Sequence, residues 1–478
     1  MPITPVICWF RRDLRLADNV ALTAAAQSGK PVICLYILDD ETPREWRMGG
    51  ASRWWLHQSL TALNAGLGRL GGELTLRRGE AGSIIRALIE ETGADTVFWN
   101  RLYNPAEMAR DKAIKADLRK RGLTVDSFPG NLGFEPWTRQ TGSGGPYRVY
   151  SPFMKSCLAA DPPPAPIPAP ARLTRPGDVP SSDRLDTWSL LPSHPDWAGG
   201  LRDTWVPGEA GALARFGYFI DEGLDGYSAG RNYPDKPNVS RLSPHLHFGE
   251  ISVRQIWQKL DFLDNQGTLS TGKFRAEVIW REFSHHLLFH YPDLPTRNWR
   301  KQFDDFPWQE DNGALTAWQN GMTGYPLVDA GMRELWHTGY MHNRVRMVVA
   351  SFLVKHLMLH WRHGADWFWD TLVDADLANN AASWQWVAGS GADAAPYFRI
   401  FNPVKQGQDY DPNSRYIRRW VPELAGLSDR DLHEPWKASD AALESAGIAM
   451  GETYPDRIVD HAGARTRALA AYQQIRQG

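Results

Sequence analysis

Five short β-rich runs, each separated from the next by a helical pattern, fill the first part of the chain, and nothing later repeats them. The runs cover 6–10, 32–38, 73–77, 96–100 and 123–128, and the spacing between them predicts helices near 19–27, 51–69, 81–90 and 106–121. Short buried strands alternating with helices imply a parallel, doubly wound five-stranded sheet with right-handed crossovers, an α/β domain over 1–130. The first run is followed by Arg11-Arg12-Asp13-Leu14-Arg15 and not by G-x-G-x-x-G, so no conventional dinucleotide site is expected there.

From 131 to 205 the alternation stops. Gly142-Ser143-Gly144-Gly145 is followed by Asp161-Pro162-Pro163-Pro164-Ala165-Pro166-Ile167-Pro168. Proline this dense fixes φ and removes donors, which predicts an extended connector running over the surface. Residues 206–478 read as a larger all-α domain. A chain of 478 residues with 42% hydrophobic and 23% charged residues supports two such bodies and excludes a disordered or fibrous class. Three cysteines exclude a disulfide scaffold or a cysteine zinc site and favour a reducing cytoplasm. The apolar runs are too short to cross a membrane. A net charge of -2 means that nucleic-acid binding needs a local basic patch. Tryptophan, at 22, is in excess of what a core requires, since Leu or Phe fills space without an N–H to satisfy.

Four groups of residues carry chemistry. Helical spacing puts Glu277, Trp280 and Arg281 on one face, an acceptor, a stacking plane and a cation suited to a nucleobase beside a phosphate; a core Trp next to a surface ion pair competes as an explanation. Asn343, Arg346 and Met347 share a second face, with Arg344 a quarter-turn away, and such polar company is costly to bury without partners. Asp374, Asp376, Asn379, Asn380, Trp384 and Trp386 form the third; helix caps explain the carboxylates but not the Asn pair or the Trp pair. The fourth ends in Ser240-Arg241-Leu242-Ser243-Pro244, hydroxyls ahead of a helix, where phosphates are cradled. His285, His286 and His290 lack the spacing of a metal site, which favours a structural or base-contacting role.

These groups, with Thr323-Gly324-Tyr325-Pro326-Leu327-Val328-Asp329-Ala330, Asp393-Ala394-Ala395-Pro396-Tyr397-Phe398-Arg399-Ile400-Phe401-Asn402-Pro403 and the opening Trp9-Phe10-Arg11-Arg12-Asp13-Leu14-Arg15-Leu16, resemble the photolyase/cryptochrome family, most closely its cyclobutane pyrimidine dimer photolyases. The likeness spans nearly the whole chain and is strongest over 274–404. It implies a folded FAD in the helical domain. Tyr227, Ser240, Arg241, Leu242 and Ser243 would take its diphosphate side, with Val239 where relatives often carry Thr. Arg346 would pair with Asp374, Asp376 would accept from the flavin ring, and Asn380 would face N5, where a neutral amide suits a fully reduced anion. Glu277, Trp280, Asn343, Arg344, Met347 and Trp386 would line the lesion cavity, and Arg231, Arg281, Arg344 and Arg399 would contact DNA.

The same resemblance implies an electron relay through Trp384, Trp361 and Trp308, and a 5,10-methenyltetrahydrofolate antenna near Glu107, with Ala106 in place of an Asn of folate-binding relatives. The activity implied is light-driven repair. Excited FADH⁻ lends an electron to a flipped-out pyrimidine dimer, the cyclobutane ring opens, and the electron returns. The expected partner is damaged DNA, met by a cytoplasmic monomer without metal or membrane. Three other readings stand beside it. A cryptochrome photoreceptor typically carries Asp at the N5 position, a (6-4) repair enzyme needs a His pair in the cavity, and a dark flavoenzyme needs a nicotinamide site or an acid–base pair.

Overall fold

In the computed structural model, which describes residues 4–267, 269–393 and 398–477, the five β-rich runs become β1 (Val6–Phe10), β2 (Val32–Leu38), β3 (Leu74–Arg78), β4 (Thr96–Asn100) and β5 (Thr124–Phe128). All pair in parallel, in the order β3-β2-β1-β4-β5. The runs of β1 and β2 are apolar throughout because both faces are covered, whereas the edge strands β3 and β5 carry Thr75, Arg77, Asp126 and Ser127. Val6, Cys8 and Phe10 of β1 meet α1 (Val20–Gln27) and α2 (Gly50–Arg69), while Ile7 and Trp9 meet α3 (Ala81–Thr92) and α4 (Pro105–Lys120). Strand order reverses between β1 and β4, where open α/β sheets usually hold a ligand. Here side chains fill that crevice: Asn100 Nδ2 donates to Asp13 Oδ2 at 2.6 Å and to Asn19 Oδ1 at 2.8 Å.

The stretch 131–205 corrects the expectation of a surface connector. Its helix α5 (Tyr150–Leu158) inserts Tyr150, Phe153 and Cys157 into the core of the helical domain. Past the prolines the chain returns to the α/β domain, burying Leu173, Trp188, Leu190 and Trp205 in that domain's core. Extended backbone must find partners elsewhere. Leu173 N donates to Leu70 O at 2.8 Å, Val32 N to Thr174 O at 2.8 Å and Asp183 N to Leu76 O at 2.9 Å. The segment is therefore a strap that packs against both domains.

Beyond it, the described residues form helices and no sheet. The long helix Gly272–His290 packs against α5 and Leu377–Ala388, and Leu377–Ala388 in turn meets Trp361–Thr371 and Asn343–Ser351. The two domains are fastened by the loop after β1. Arg15 is fully buried and donates to Gly249 O at 2.8 Å, Glu209 accepts from Leu16 N and Ala17 N at 2.9 Å, and Trp55 Nε1 donates to Glu250 Oε1 at 2.9 Å. Gly249 has φ +68°, and a Cβ there would overlap the Arg12 carbonyl, so this close approach requires glycine.

Candidate functional site

Two helix starts build the centre of the site. Asp376 caps Leu377–Ala388, its Oδ1 accepting from Asn379 N at 2.9 Å and from Asn379 Nδ2 at 2.6 Å. Its Oδ2 lies 3.6 Å from His285 Nε2 and 3.8 Å from His247 Nδ1. Burial opposes ionisation of Asp376, but the His285 and His247 imidazoles outweigh it and hold the carboxyl well below its ordinary range. Burial pushes His285 itself down to about 4, against the pull of Asp376. Both of its ring nitrogens and His247 Nδ1 are buried without a hydrogen-bond partner among the described residues.

Asn343–Ser351 supplies the second start, capped by His342, which accepts from Arg344 N at 3.1 Å. One turn in, Arg346 donates to Asp374 at 2.9 and 3.1 Å and to Met341 O at 2.7 Å. The expected Arg346–Asp374 pair is thus present. Asn380, four residues past Asp376, donates through Nδ2 to Ala365 O at 3.0 Å, which leaves its Oδ1 as an acceptor.

Arg241 faces the same region from a left-handed backbone position, φ +52°. Its guanidinium and that of Arg346 each lie 5.2 Å from the Tyr340 ring. The one carboxylate within reach of Arg241, Glu334 at 4.0 Å, already accepts from the Tyr416 hydroxyl at 2.6 Å and from His342 N at 3.3 Å. Arg346 keeps 26% of its side chain accessible, and Arg241 keeps 31%. Nearby, Arg215 ties down the Val239 and Ser240 carbonyls at 2.9 and 2.8 Å. Ser243 opens the helix Ser243–Phe248, whereas Leu242 and Tyr227 are buried in the apolar core, Tyr227 against Phe219 and Phe274.

The expected lesion wall is assembled in part. Trp280 is half-buried and lies flat on Tyr150, ring centres 3.6 Å apart and planes 7° apart. The Tyr150 hydroxyl donates to Ala276 O at 2.5 Å, clamping the turn that carries Glu277 and Trp280. Glu277 accepts from Arg231 and, at 3.0 Å, from Lys273. Arg344 donates to Asn232 Oδ1 at 2.7 Å and sits 4.3 Å above the Tyr410 ring. Met347 and Trp386 are half-buried, Asn343 and Arg399 exposed. Arg281 does not join them, contrary to the expected DNA contact. Its guanidinium serves Asn131 O at 3.0 Å and Leu246 O at 3.5 Å, and pairs with the buried Glu282 at 3.4 Å, because unpaired backbone acceptors beside it must be satisfied. Of the Asp393–Pro403 motif, Ala394, Ala395, Pro396 and Tyr397 lie outside the described residues.

Trp384, Trp361 and Trp308 run from buried to half-buried. Trp384 meets Phe368 edge-on at 5.0 Å, and the His360 ring lies 5.5 Å from Trp361 and 4.9 Å from Trp308. In the α/β domain, Glu107 Oε1 is 3.3 Å from Arg12 while Oε2 is buried without a partner. His286 and His290 serve the strap: His286 accepts from Tyr147 N at 3.0 Å, and both rings lie within 3.1 to 3.3 Å of Pro136 O. Sequence reasoning missed Tyr150, Tyr340 and His247. Tyr150 sits where no periodicity was legible, and a lone aromatic carries no local signal.

The chain matches the family model described as DNA photolyase over residues 6–171 and that described as the FAD binding domain of DNA photolyase over 274–474. A deoxyribodipyrimidine photo-lyase of Agrobacterium fabrum is 54% identical over 474 residues, 99% of this chain and 98% of its own. The crystal structure of a bacterial class III photolyase from Agrobacterium tumefaciens superposes with a TM-score of 0.96 at 53% identity, covering 100% of this chain and 99% of that one. Cryptochrome-1 of Arabidopsis thaliana is 38% identical over 482 residues, 98% of this chain and 70% of its own. Sheet order, helical site and similarity along the whole length agree, and the chain belongs to the DNA photolyase and cryptochrome family of flavoproteins.

Proposed function

We propose that this protein repairs cyclobutane pyrimidine dimers in DNA, using light and FAD. The observation that carries the reading is the gathering of Arg241 and Arg346 around Tyr340, with Arg346 paired to Asp374, Asp376 and Asn380 at the next helix start, and Met347 and Trp386 farther along those two helices. The residues fit the cofactor. Arg241, whose carboxylate neighbour Glu334 stands 4.0 Å off and is shared with Tyr416 and His342, suits a diphosphate, helped by Ser240 and Ser243. Asp376, ionised and bordered by imidazole nitrogens that lack partners, suits the polar edge of a ring system, and Asn380 offers a neutral amide that cannot protonate it. Bound and reduced, the flavin supplies a light-excited electron donor.

The chain's own residues do the rest. A dimer stacks and pairs poorly, so turning it out of the helix costs less than turning out normal bases. Trp280 offers it a plane on one side, with Met347 and Trp386 completing an apolar wall. Glu277, held by Arg231 and Lys273, accepts from the bases, and Asn343 offers an amide beside it. Arg344 and Arg399 hold phosphates and so set position, not lesion identity. Trp384, Trp361 and Trp308 carry electrons inward from the surface. The free Oε2 of Glu107 suits the ring N–H groups of a 5,10-methenyltetrahydrofolate antenna.

The test is repair itself. Chemically reduced protein under blue light converts cyclobutane thymine dimers in an oligonucleotide to thymines, followed by chromatography, and darkness stops it. The 38% identity to Cryptochrome-1 favours a second reading, a photoreceptor. Protein that binds FAD and responds to light but leaves dimers untouched decides for that second reading.

A further inference from the structure

The three indoles of the relay differ in what their N–H groups touch. Trp361 is 1% exposed and donates through Nε1 to Asn298 Oδ1 at 2.9 Å. Asn298 is itself buried, and its Nδ2 donates to Asp304 Oδ1 at 2.8 Å, so its amide is held with the oxygen toward the indole. Trp308 Nε1, by contrast, is buried without an acceptor among the described residues. His360 precedes Trp361, but its Nδ1 already accepts from Arg362 N at 3.2 Å. Asp304 borders an open cavity of about 470 Å³ that reaches Trp361, yet the Asn298 amide stands between that carboxylate and the indole nitrogen.

Removing an electron from an indole makes its N–H far more acidic. If a base then takes the proton, the radical becomes neutral and the hole is trapped, because refilling it requires the proton back. A carboxylate is such a base. An amide oxygen accepts a hydrogen bond but hardly binds a proton.

We propose that Asn298, fixed by Asp304, keeps the proton on Trp361 while that indole is oxidised, and thereby keeps the hole moving toward Trp308. Asn298 is a positioning residue, and its role rests on the relay reading above. The electrons balance within the chain. Trp361 gives one electron to oxidised Trp384, keeps its N–H, and takes one electron from Trp308; no bond at Asn298 forms or breaks.

Flash photolysis of the FAD-loaded protein tests this, read by the visible absorption of the indole radical, which differs between cation and neutral forms. In the native protein the cation is expected, hopping from Trp361 to Trp308 is unchanged in D₂O, and Trp308→Phe shortens the charge-separated lifetime by about tenfold, a barrier change near 1.4 kcal/mol. Asn298→Asp places a base at the indole. It yields the neutral radical at Trp361, a hop slowed in D₂O, and little further effect of Trp308→Phe. Asn298→Ser, a neutral acceptor, gives the cation again, which separates proton affinity from a lost contact. A strong isotope effect on the native hop, or a cation unchanged in Asn298→Asp, overturns the proposal while Trp361→Phe still blocks photoreduction. Unimpaired photoreduction in Trp361→Phe overturns the relay and this role together.

Discussion

With Tyr150 stacked on it at 3.6 Å, Trp280 has one face left for a base, so it contributes a single stacking contact. Such a contact is worth ~1–3 kcal/mol, and Trp280→Ala is expected to weaken binding to dimer-containing DNA by about tenfold to a hundredfold while undamaged DNA is affected much less, as measured by equilibrium titration. Arg344, held by Asn232 and seated over Tyr410, is placed for a phosphate. Arg344→Ala should therefore weaken binding to both DNAs and reduce the slope of log K against log salt by about 0.9. Of these two side chains, both were legible as candidates in the sequence. What was not legible is that Tyr150, 130 positions earlier in the chain, already covers one of the indole's faces.

Two helices, Trp361–Thr371 and Leu377–Ala388, meet closely enough that a Cβ at Gly364 would overlap the Trp384 ring. Glycine inside a helix costs roughly 1 kcal/mol against Ala. It is kept here because the same contact lets Asn380 reach Ala365 O one residue along. Gly364→Ala should destabilise the protein by about 1–3 kcal/mol through overpacking, seen as a lower Tm, and should slow blue-light reduction of bound FAD by displacing Trp384. Nothing in the local pattern around Gly364 marks it, since helical periodicity says which face is buried but not how near the next helix comes.

The strap joins the whole molecule, and His286 is one of its fastenings, accepting from Tyr147 N while its other nitrogen faces Pro136 O. Burial, reinforced by neighbouring His290, pushes His286 from the ordinary 6.5 down to about 4. The unfolded chain then binds a proton at a pH where the folded protein does not, so this group's stabilisation is intact above 6.5 and is lost as pH falls through 4. The loss totals roughly 3 kcal/mol. His286→Gln, which keeps an acceptor and a donor but no titration, should lose less stability than the native protein between these limits, measured by denaturant unfolding at stepped pH. A pH dependence unchanged by the substitution would place the acid sensitivity elsewhere.

Local pattern alone determined the parallel sheet, because fully apolar runs such as Val6–Phe10 and Val32–Leu38 need helices on both faces, and strand limits fell within a residue of those read from the sequence. The polar clusters of the helical domain were legible for a similar reason, since their members lie within one or two turns of each other. Only the tertiary structure decided which members work together. Arg281 shares a helix face with Trp280, yet its charge goes to Asn131 O, 150 positions away. Arg15 fastens the domains through Gly249, 234 positions away. The strap's role follows from the same fact. Satisfying a buried donor or covering a ring depends on whatever the fold brings alongside, and contacts between distant positions leave no period for a sequence to display.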